Sequence, residues 1–197
     1  VCRRLMPLEL TVCERFILSF TLGVLLFFFG VFAAGCVDLY GRALFLIWPL
    51  LLLAYGAPQV VFDLKFTLTN TNESQARPDW RALMPSTFPQ LVACAFLCIG
   101  TLGVYLQVMT PHNLGADCYW YHVPIAESFA AAGGIRRFAE GWYVGAYPQL
   151  VSFLYTWAFL APGGLLDHVL LCMHIEFALF LVTLLAIGVF AARLLGR

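Results

Sequence analysis

The stretch FILSFTLGVLLFFFGVFAAGCV, residues 16–37, decides the fold class of this chain. It contains no charged residue between Arg15 and Asp38, and it is apolar over almost its whole length. About 20 apolar residues in a helix are enough to cross the roughly 30 Å hydrocarbon core of a bilayer. The stretch is therefore predicted to be a transmembrane helix.

Four more uncharged stretches follow along the chain, and each approaches or exceeds the length that a membrane crossing requires. The most apolar part of 82–116 is 89–109, and that of 141–166, the shortest, is 149–160. We therefore expect an all-α, polytopic membrane helix bundle with about five transmembrane helices. The five predicted spans are residues 16–37, 43–62, 82–116, 141–166 and 169–192.

The composition supports the same class. Of the 197 residues, 62% are hydrophobic and 11% are charged, whereas soluble domains carry about 25% charged residues. The formal net charge is zero, so no overall field attracts nucleic acid, and membrane lipids are the expected surroundings. We expect a multi-pass protein of a cell membrane (the inner membrane, in a bacterium). The chain begins with Val1, and we expect residues 1–197 to form one membrane domain, an N-terminal fragment of a longer protein.

The third predicted loop, residues 110–147, is long enough to carry a function. It contains a helix-like piece from about His122 to Ala132, which the pair Gly133-Gly134 ends, a helix-stop signal. Val123, Ala126, Phe129 and Ala130 fall on one face of this piece, with Glu127 and Ser128 elsewhere. The pattern predicts a helix that lies in the membrane interface.

Lysine and arginine residues set the expected orientation, because cytoplasmic loops carry an excess of both. With the N-terminus inside, six of these residues fall on inner segments and five on outer segments. Lys65, Arg77 and Arg81 hold the second loop inside, so we expect the loop 110–147 on the extracytoplasmic side.

The densest polar cluster in the sequence is GADCYWYH, residues 115–122, directly after the third predicted span. Asp117 stands at the end of a long uncharged stretch, where partial desolvation makes a carboxylate a stronger base. His122 can donate hydrogen bonds to a phosphate, and Tyr119, Trp120 and Tyr121 can line a sugar-sized pocket. The alternative is structural, since aromatic residues with an aspartate cap occur at the ends of many membrane helices.

Two ionisable residues, His174 and Glu176, fall inside the fifth predicted span. Such residues within a membrane are costly to bury and indicate function. The alternative is that the helix begins only after Glu176. A polar site at this point would suit a non-enzymatic membrane protein, such as a transporter or an assembly subunit. No inverted repeat is visible across the five spans, which counts against a transporter.

Residues of the third loop also form a longer pattern, D-x-x-x-Y-H-x-P-x-A-x-x-F, followed by G, then W, then Y-P-x-L. The matching residues are Asp117, Tyr121, His122, Pro124, Ala126, Phe129 and Gly133, then Trp142, Tyr147, Pro148 and Leu150. This order and spacing, over about 40 residues, resembles the first large extracytoplasmic loop of the GT-C class of polytopic glycosyltransferases. These enzymes, such as protein mannosyltransferases and aminoarabinose transferases, take a sugar from a dolichyl- or undecaprenyl-phosphate carrier.

The resemblance implies a reaction and a set of site residues. Asp117 would be the general base that activates an acceptor hydroxyl, and a polyprenyl-phosphate sugar would be the donor. His122 with Arg136 or Arg137 would stabilise the phosphate, although the alternative for both arginines is contact with lipid headgroups. The matching positions Tyr121, Trp142 and Tyr147 would also bind substrate.

The sequence departs from the family in two ways. Many members carry two adjacent acidic residues in this loop, but here Cys118 follows Asp117. No metal ligands are therefore assigned, and a divalent cation stays an open possibility. Two predicted spans, rather than none, precede the helix that supports the loop. The later helices of such enzymes are absent from 1–197, so we expect this segment to be active only as part of a full-length enzyme.

Overall fold

A computed structural model describes residues 10–69, 87–110, 115, 117–138 and 149–195. Within these ranges the chain is all-helical, with six α-helices, one π-helical turn and no strand. The all-α prediction is therefore confirmed. The α-helices are α1 (Val12–Cys36), α2 (Arg42–Thr69), α3 (Phe88–Val108), α4 (Val123–Ala132), α5 (Leu150–Phe159) and α6 (Leu165–Leu194), and the π-helical turn is Cys118–His122.

Three of these helices are long and apolar enough to cross a membrane, namely α1, α3 and α6. This agrees with the expected multi-pass membrane protein. In α2 the stretch Arg42–Pro58 forms an apolar helix, and Pro49 and Pro58 lie within it. Helix α5 has 10 residues, which span only about 15 Å. The count of five crossings therefore stays a prediction.

Helix α4 confirms the helix predicted near 122–132. It ends where Gly133 adopts a left-handed conformation, with φ of 75°, which glycine adopts without steric cost. Phe129 is buried and Glu127 is exposed, as the face pattern predicts. The buried face packs on α5, where the rings of Phe129 and Phe153 stack with centroids 5.7 Å apart.

Phe153 is the centre of an aromatic cluster that joins α4, α5 and α1. The rings of Phe28 and Phe32 on α1 meet it edge-on, at 5.6 and 5.4 Å. Such pairs add about 0.5–1.5 kcal/mol beyond the area that they bury. Two indole N–H groups complete the packing, since Trp48 donates to the carbonyl of Phe27 and Trp157 to that of Phe45.

A short strap after α4, residues 133–138, lies against the turn between α1 and α2. The amide of Tyr40 donates to the carbonyl of Gly133, and the amide of Ile135 donates to that of Gly35, both at 3.0 Å. A Cβ on Gly35 would collide with the ring of Tyr40 and the side chain of Ile135. Glycine at this position therefore allows the two backbones to approach.

An ion pair joins α1 and α6 at the other end of the bundle. Glu14 forms a capping box with Thr11 at the start of α1 and also accepts a hydrogen bond from Arg193 near the end of α6. The first and last described helices therefore share this end. Because α6 already begins at Leu165, both His174 and Glu176 lie inside the helix rather than before it.

Candidate functional site

The segment that carries Asp117 is wound as a π-helix before it enters α4. Pro124 has no N–H, so it cannot donate to the carbonyl four residues back. The amide of Val123 instead donates to the carbonyl of Cys118, five residues back. This widened turn, a feature frequent at functional sites, sets the directions of the side chains from Asp117 to His122.

Side chains of the π-helical turn divide into an outer and an inner set. Asp117 is exposed, as are Tyr119 and Trp120. Cys118 and His122 are half-buried and turn toward α5 and α6. The expected partial desolvation of Asp117 is therefore not seen, because Cys118 occupies the inward position next to it.

Glu176 joins three elements at one oxygen atom. The Cys118 thiol of the π-helical turn donates to Glu176 Oε1 at 3.1 Å, and the Tyr155 hydroxyl of α5 donates to the same atom. Cys118 Sγ and Tyr155 Oη are themselves 3.4 Å apart. Tyr155 is 1% exposed, so its hydroxyl could not remain unpaired without a cost of about 1–3 kcal/mol.

His122 makes a second polar contact between the turn and α5. Its Nδ1 lies 2.8 Å from the Oγ of the fully buried Ser152. Burial lowers the pKa of His122, while the negative charges of Glu176 and Asp117 act against that shift. The imidazole is therefore mainly neutral at pH 7, able to donate from one nitrogen and accept at the other.

Cys118 behaves as a neutral thiol in this setting. Burial raises the pKa of the Cys118 thiol to about 11, and the hydrogen bond and charge of Glu176 add to the rise. A thiol that stays protonated near pH 7 donates a hydrogen bond and is a poor nucleophile or metal ligand. In this setting the Cys118 thiol is a hydrogen-bond donor to Glu176.

The structure separates the other residues predicted for the site. Arg136 and Arg137 follow the far end of α4, whose 10 residues place them about 15 Å from His122 along the helix axis. Arg136 is engaged with Asp38 Oδ1 at 2.6 Å and with the carbonyl of Ala132, whereas Arg137 is exposed. Trp142 and Tyr147 lie outside the described residues.

Glu176, which the sequence suggested as part of a separate polar site with His174, belongs to the same cluster as the residues beside Asp117. Glu176 meets Cys118, the residue next to Asp117, so the two regions that the sequence suggested form one cluster. His174 points elsewhere, since residues two apart on a helix do not share a face. Its Nδ1 lies 2.7 Å from the carbonyl of Leu170, and its ring lies against Tyr105.

Three members of the cluster were not identified as functional from the sequence: Cys118, Ser152 and Tyr155. Ser152 and Tyr155 are three residues apart in an apolar run, which places both on one face of α5. That three-residue spacing of two polar residues was the signal in the sequence by which they could have been identified. It does not say which other helix supplies the partners.

An apolar cleft of about 210 Å³ lies among α1, α2, α5 and α6. It is lined by Leu154 and Ile175, the chain neighbours of Tyr155 and Glu176, and by Phe27, Pro49 and Trp157. An apolar chain can therefore enter the bundle along the helices that carry the polar cluster.

Within the described ranges, no group of three or more His, Cys, Asp or Glu residues is arranged to hold a metal ion. Comparison of the chain with protein-family models, with curated proteins and with solved structures finds no match. A functional assignment therefore rests on the loop pattern and on the geometry of the cluster.

Proposed function

We propose that this chain belongs to a membrane glycosyltransferase that moves a sugar from a polyprenyl-phosphate carrier to an acceptor hydroxyl on the extracytoplasmic side. One observation carries the proposal. Asp117 is exposed on a segment whose neighbouring side chains, Cys118 and His122, are held by Glu176 and Ser152. An accessible carboxylate on a fixed backbone is what a general base requires.

The depth of the cluster supports a reaction at the membrane surface. Helix α6 has 30 residues and is about 45 Å long, which exceeds the roughly 30 Å hydrocarbon core. If the Glu14–Arg193 pair marks one boundary, about 20 residues counted back from Arg193 reach the turn that contains Glu176. Glu176, and with it Asp117, then lies close to the opposite boundary.

The cleft supports an amphiphilic donor. A polyprenyl phosphate combines a long apolar chain with a charged head, and here the cleft residues Leu154 and Ile175 are the chain neighbours of Tyr155 and Glu176 in the polar cluster. The chain would lie along Leu154, Trp157 and Ile175, and the phosphate would face the π-helical turn. His122 can donate a hydrogen bond to that phosphate from Nε2 when Ser152 donates to its Nδ1.

In the proposed reaction Asp117 takes the proton from the acceptor hydroxyl. The acceptor oxygen then forms a bond to the anomeric carbon, while the bond from that carbon to the phosphate oxygen breaks. The electron pair leaves on the lipid phosphate, and the configuration at the anomeric carbon is inverted. Arg136 is paired with Asp38, so we assign the phosphate to His122 and leave Arg137 as a headgroup contact.

The finer architecture belongs to the same proposal. We propose four crossings, α1, α2, α3 and α6, rather than the expected five, because an even number places both members of the Glu14–Arg193 pair on one side of the membrane. The loop 110–147 then lies outside, with α4 beside the membrane interface. The buried face of α4 packs on α5, while Glu127 and Ser128 are exposed, an arrangement that suits a helix lying between the bundle and water.

Substitution of Asp117 tests the proposed function. Membranes that express the full gene should transfer sugar from radiolabelled polyprenyl-phosphate hexoses and aminopentoses. Asp117→Asn keeps the shape and removes the base, so transfer should fall by about 10²–10⁴. A structural cap would cost only about 1 kcal/mol of stability, and Asn would largely replace it.

Glu127→Gln is the matched control, because it removes an exposed carboxylate from the neighbouring helix α4. It should retain transfer and insertion. Full transfer by a well-expressed Asp117→Asn protein would exclude Asp117 as the base.

A further inference from the structure

Glu176 lies far from Asp117 in the sequence, yet it contacts Cys118, the residue next to Asp117. Its Oε1 accepts from Cys118 on the π-helical turn and from Tyr155 on α5. Glu176 itself belongs to α6. One carboxylate oxygen therefore fixes three elements against one another, and two donors to one charged acceptor form stronger hydrogen bonds than neutral pairs do.

The direction of Cys118 dictates the direction of Asp117. Adjacent residues on a helical turn point in directions that differ by about 100°. With Cys118 drawn inward to Glu176, Asp117 is turned outward, and it is exposed in the structure. Without the Glu176 acceptor, Cys118 loses its charged partner and keeps the longer contact with the Tyr155 hydroxyl, while His122 keeps its bond to Ser152, four residues further along.

We infer that Glu176 is a positioning residue of the site, which holds Cys118 inward and thereby presents Asp117 to the substrate. Only the presentation of Asp117 to a substrate rests on the proposed function. The anchoring of Cys118 by Glu176 does not depend on it. Glu176 does not touch the reacting atoms in this scheme. It acts through Cys118, so its removal should loosen the segment before it affects any chemistry.

The anchoring is measured by the reactivity of Cys118. The full-length protein, with its native cysteines, is treated with N-ethylmaleimide, and modification of Cys118 and of the exposed Cys36 is followed by mass spectrometry. Glu176→Leu removes the acceptor, the charge and the anchoring. Loss of the inward hydrogen bond should open the segment locally and expose the thiol, so Cys118 should react roughly tenfold faster, relative to Cys36.

Two further variants separate anchoring from general damage. Glu176→Gln keeps a carbonyl acceptor, so its Cys118 reactivity should lie between the wild type and Glu176→Leu. Glu127→Gln, on the exposed face of α4, should leave Cys118 within about twofold of the wild type. If Glu176→Leu does not accumulate, Glu176→Ala replaces it, because it also removes the acceptor and the charge and leaves a smaller side chain.

Positioning is measured by transfer from the polyprenyl-phosphate sugars. A displaced base can cost about 10²-fold in rate, so Glu176→Leu should lower kcat by roughly 10- to 100-fold with little change in KM. Glu176→Gln should recover most of the rate. Unchanged Cys118 reactivity in Glu176→Leu would overturn the anchoring, and faster labelling with a wild-type kcat would overturn the positioning. Wild-type membranes without transfer would refute the proposed function, while the labelling would still decide the anchoring.

Discussion

His122 is the residue whose protonation bears most directly on the stability of the cluster. Burial lowers its pKa from the ordinary value of 6.5. The unfolded chain therefore binds a proton at a pH where the folded protein does not. The stability associated with neutral His122 is complete above about 6.5 and is lost as the pH falls through the ordinary pKa toward the lowered one.

This effect can be measured by thermal unfolding in detergent. Between about pH 7.5 and about pH 5.5, which bracket the ordinary imidazole pKa, the wild-type Tm should fall by more than that of His122→Gln. His168→Gln, near the opposite end of α4, leaves the His122–Ser152 bond intact and is the control. Equal pH dependence of the wild type and His122→Gln would contradict a buried, neutral His122.

At the same scale, the sequence identified Asp117, His122 and Glu176 as candidates but did not join them. Composition and spacing show which residues are costly to place in an apolar region. They do not show that Cys118 reaches Glu176, because the two lie 58 positions apart on elements whose packing no local pattern specifies. The expected partial desolvation of Asp117 is not seen for the same reason. The sequence does not show that Cys118, rather than Asp117, turns into the bundle.

At the scale of the elements, α4 was predictable, and so were the bounds of α5, because Leu150–Phe159 falls within the apolar part 149–160. The face of α4 and its Gly133 stop are local signals, and the structure bears out both. Helix α5 ends at Phe159 because Pro162 disfavours helical conformation before it and Gly163 adopts a φ of 147°. The uncharged stretch 141–166 contains this break, so the absence of charge alone overstated the length of the helix.

Phe129 allows a test of how α4 holds the strap. Its ring is 3% exposed and stacks between Phe153 and Phe138, with centroids 5.7 and 5.3 Å away. Phe129→Asp would place a charge in this cluster and release Phe138 from α4. Trypsin cleavage after the neighbouring Arg137 should then become faster by roughly tenfold, because local opening exposes the backbone.

Glu127→Gln is again the matched control, since Glu127 is exposed on the opposite face of α4. Its cleavage rate should equal that of the wild type. If Phe129→Asp were cleaved no faster than the wild type, the packing of α4 would not be what protects the strap.

At the scale of the whole molecule, the Glu14–Arg193 pair and the Tyr40–Gly133 backbone bond mark the two ends of the bundle. The start of α1 and the end of α6 share one end, and the strap after α4 lies at the turn between α1 and α2, where α1 ends. If α1 crosses the membrane once, these two ends lie on opposite sides. The proposed function requires the end with α4 to be extracytoplasmic.

Cysteine labelling decides this orientation. Ser128 is exposed on α4, and Leu195 is 71% exposed just after α6. A single cysteine is placed at either position in a background without other cysteines, with Cys118→Ser to retain a hydrogen-bond donor to Glu176. A membrane-impermeant maleimide should label Ser128→Cys in intact cells and Leu195→Cys only after permeabilisation, because the positive-inside bias holds the second loop inside. The reverse pattern would place Asp117 on the cytoplasmic side and reject the proposed topology. Labelling of both positions in intact cells would show that α6 does not cross the membrane.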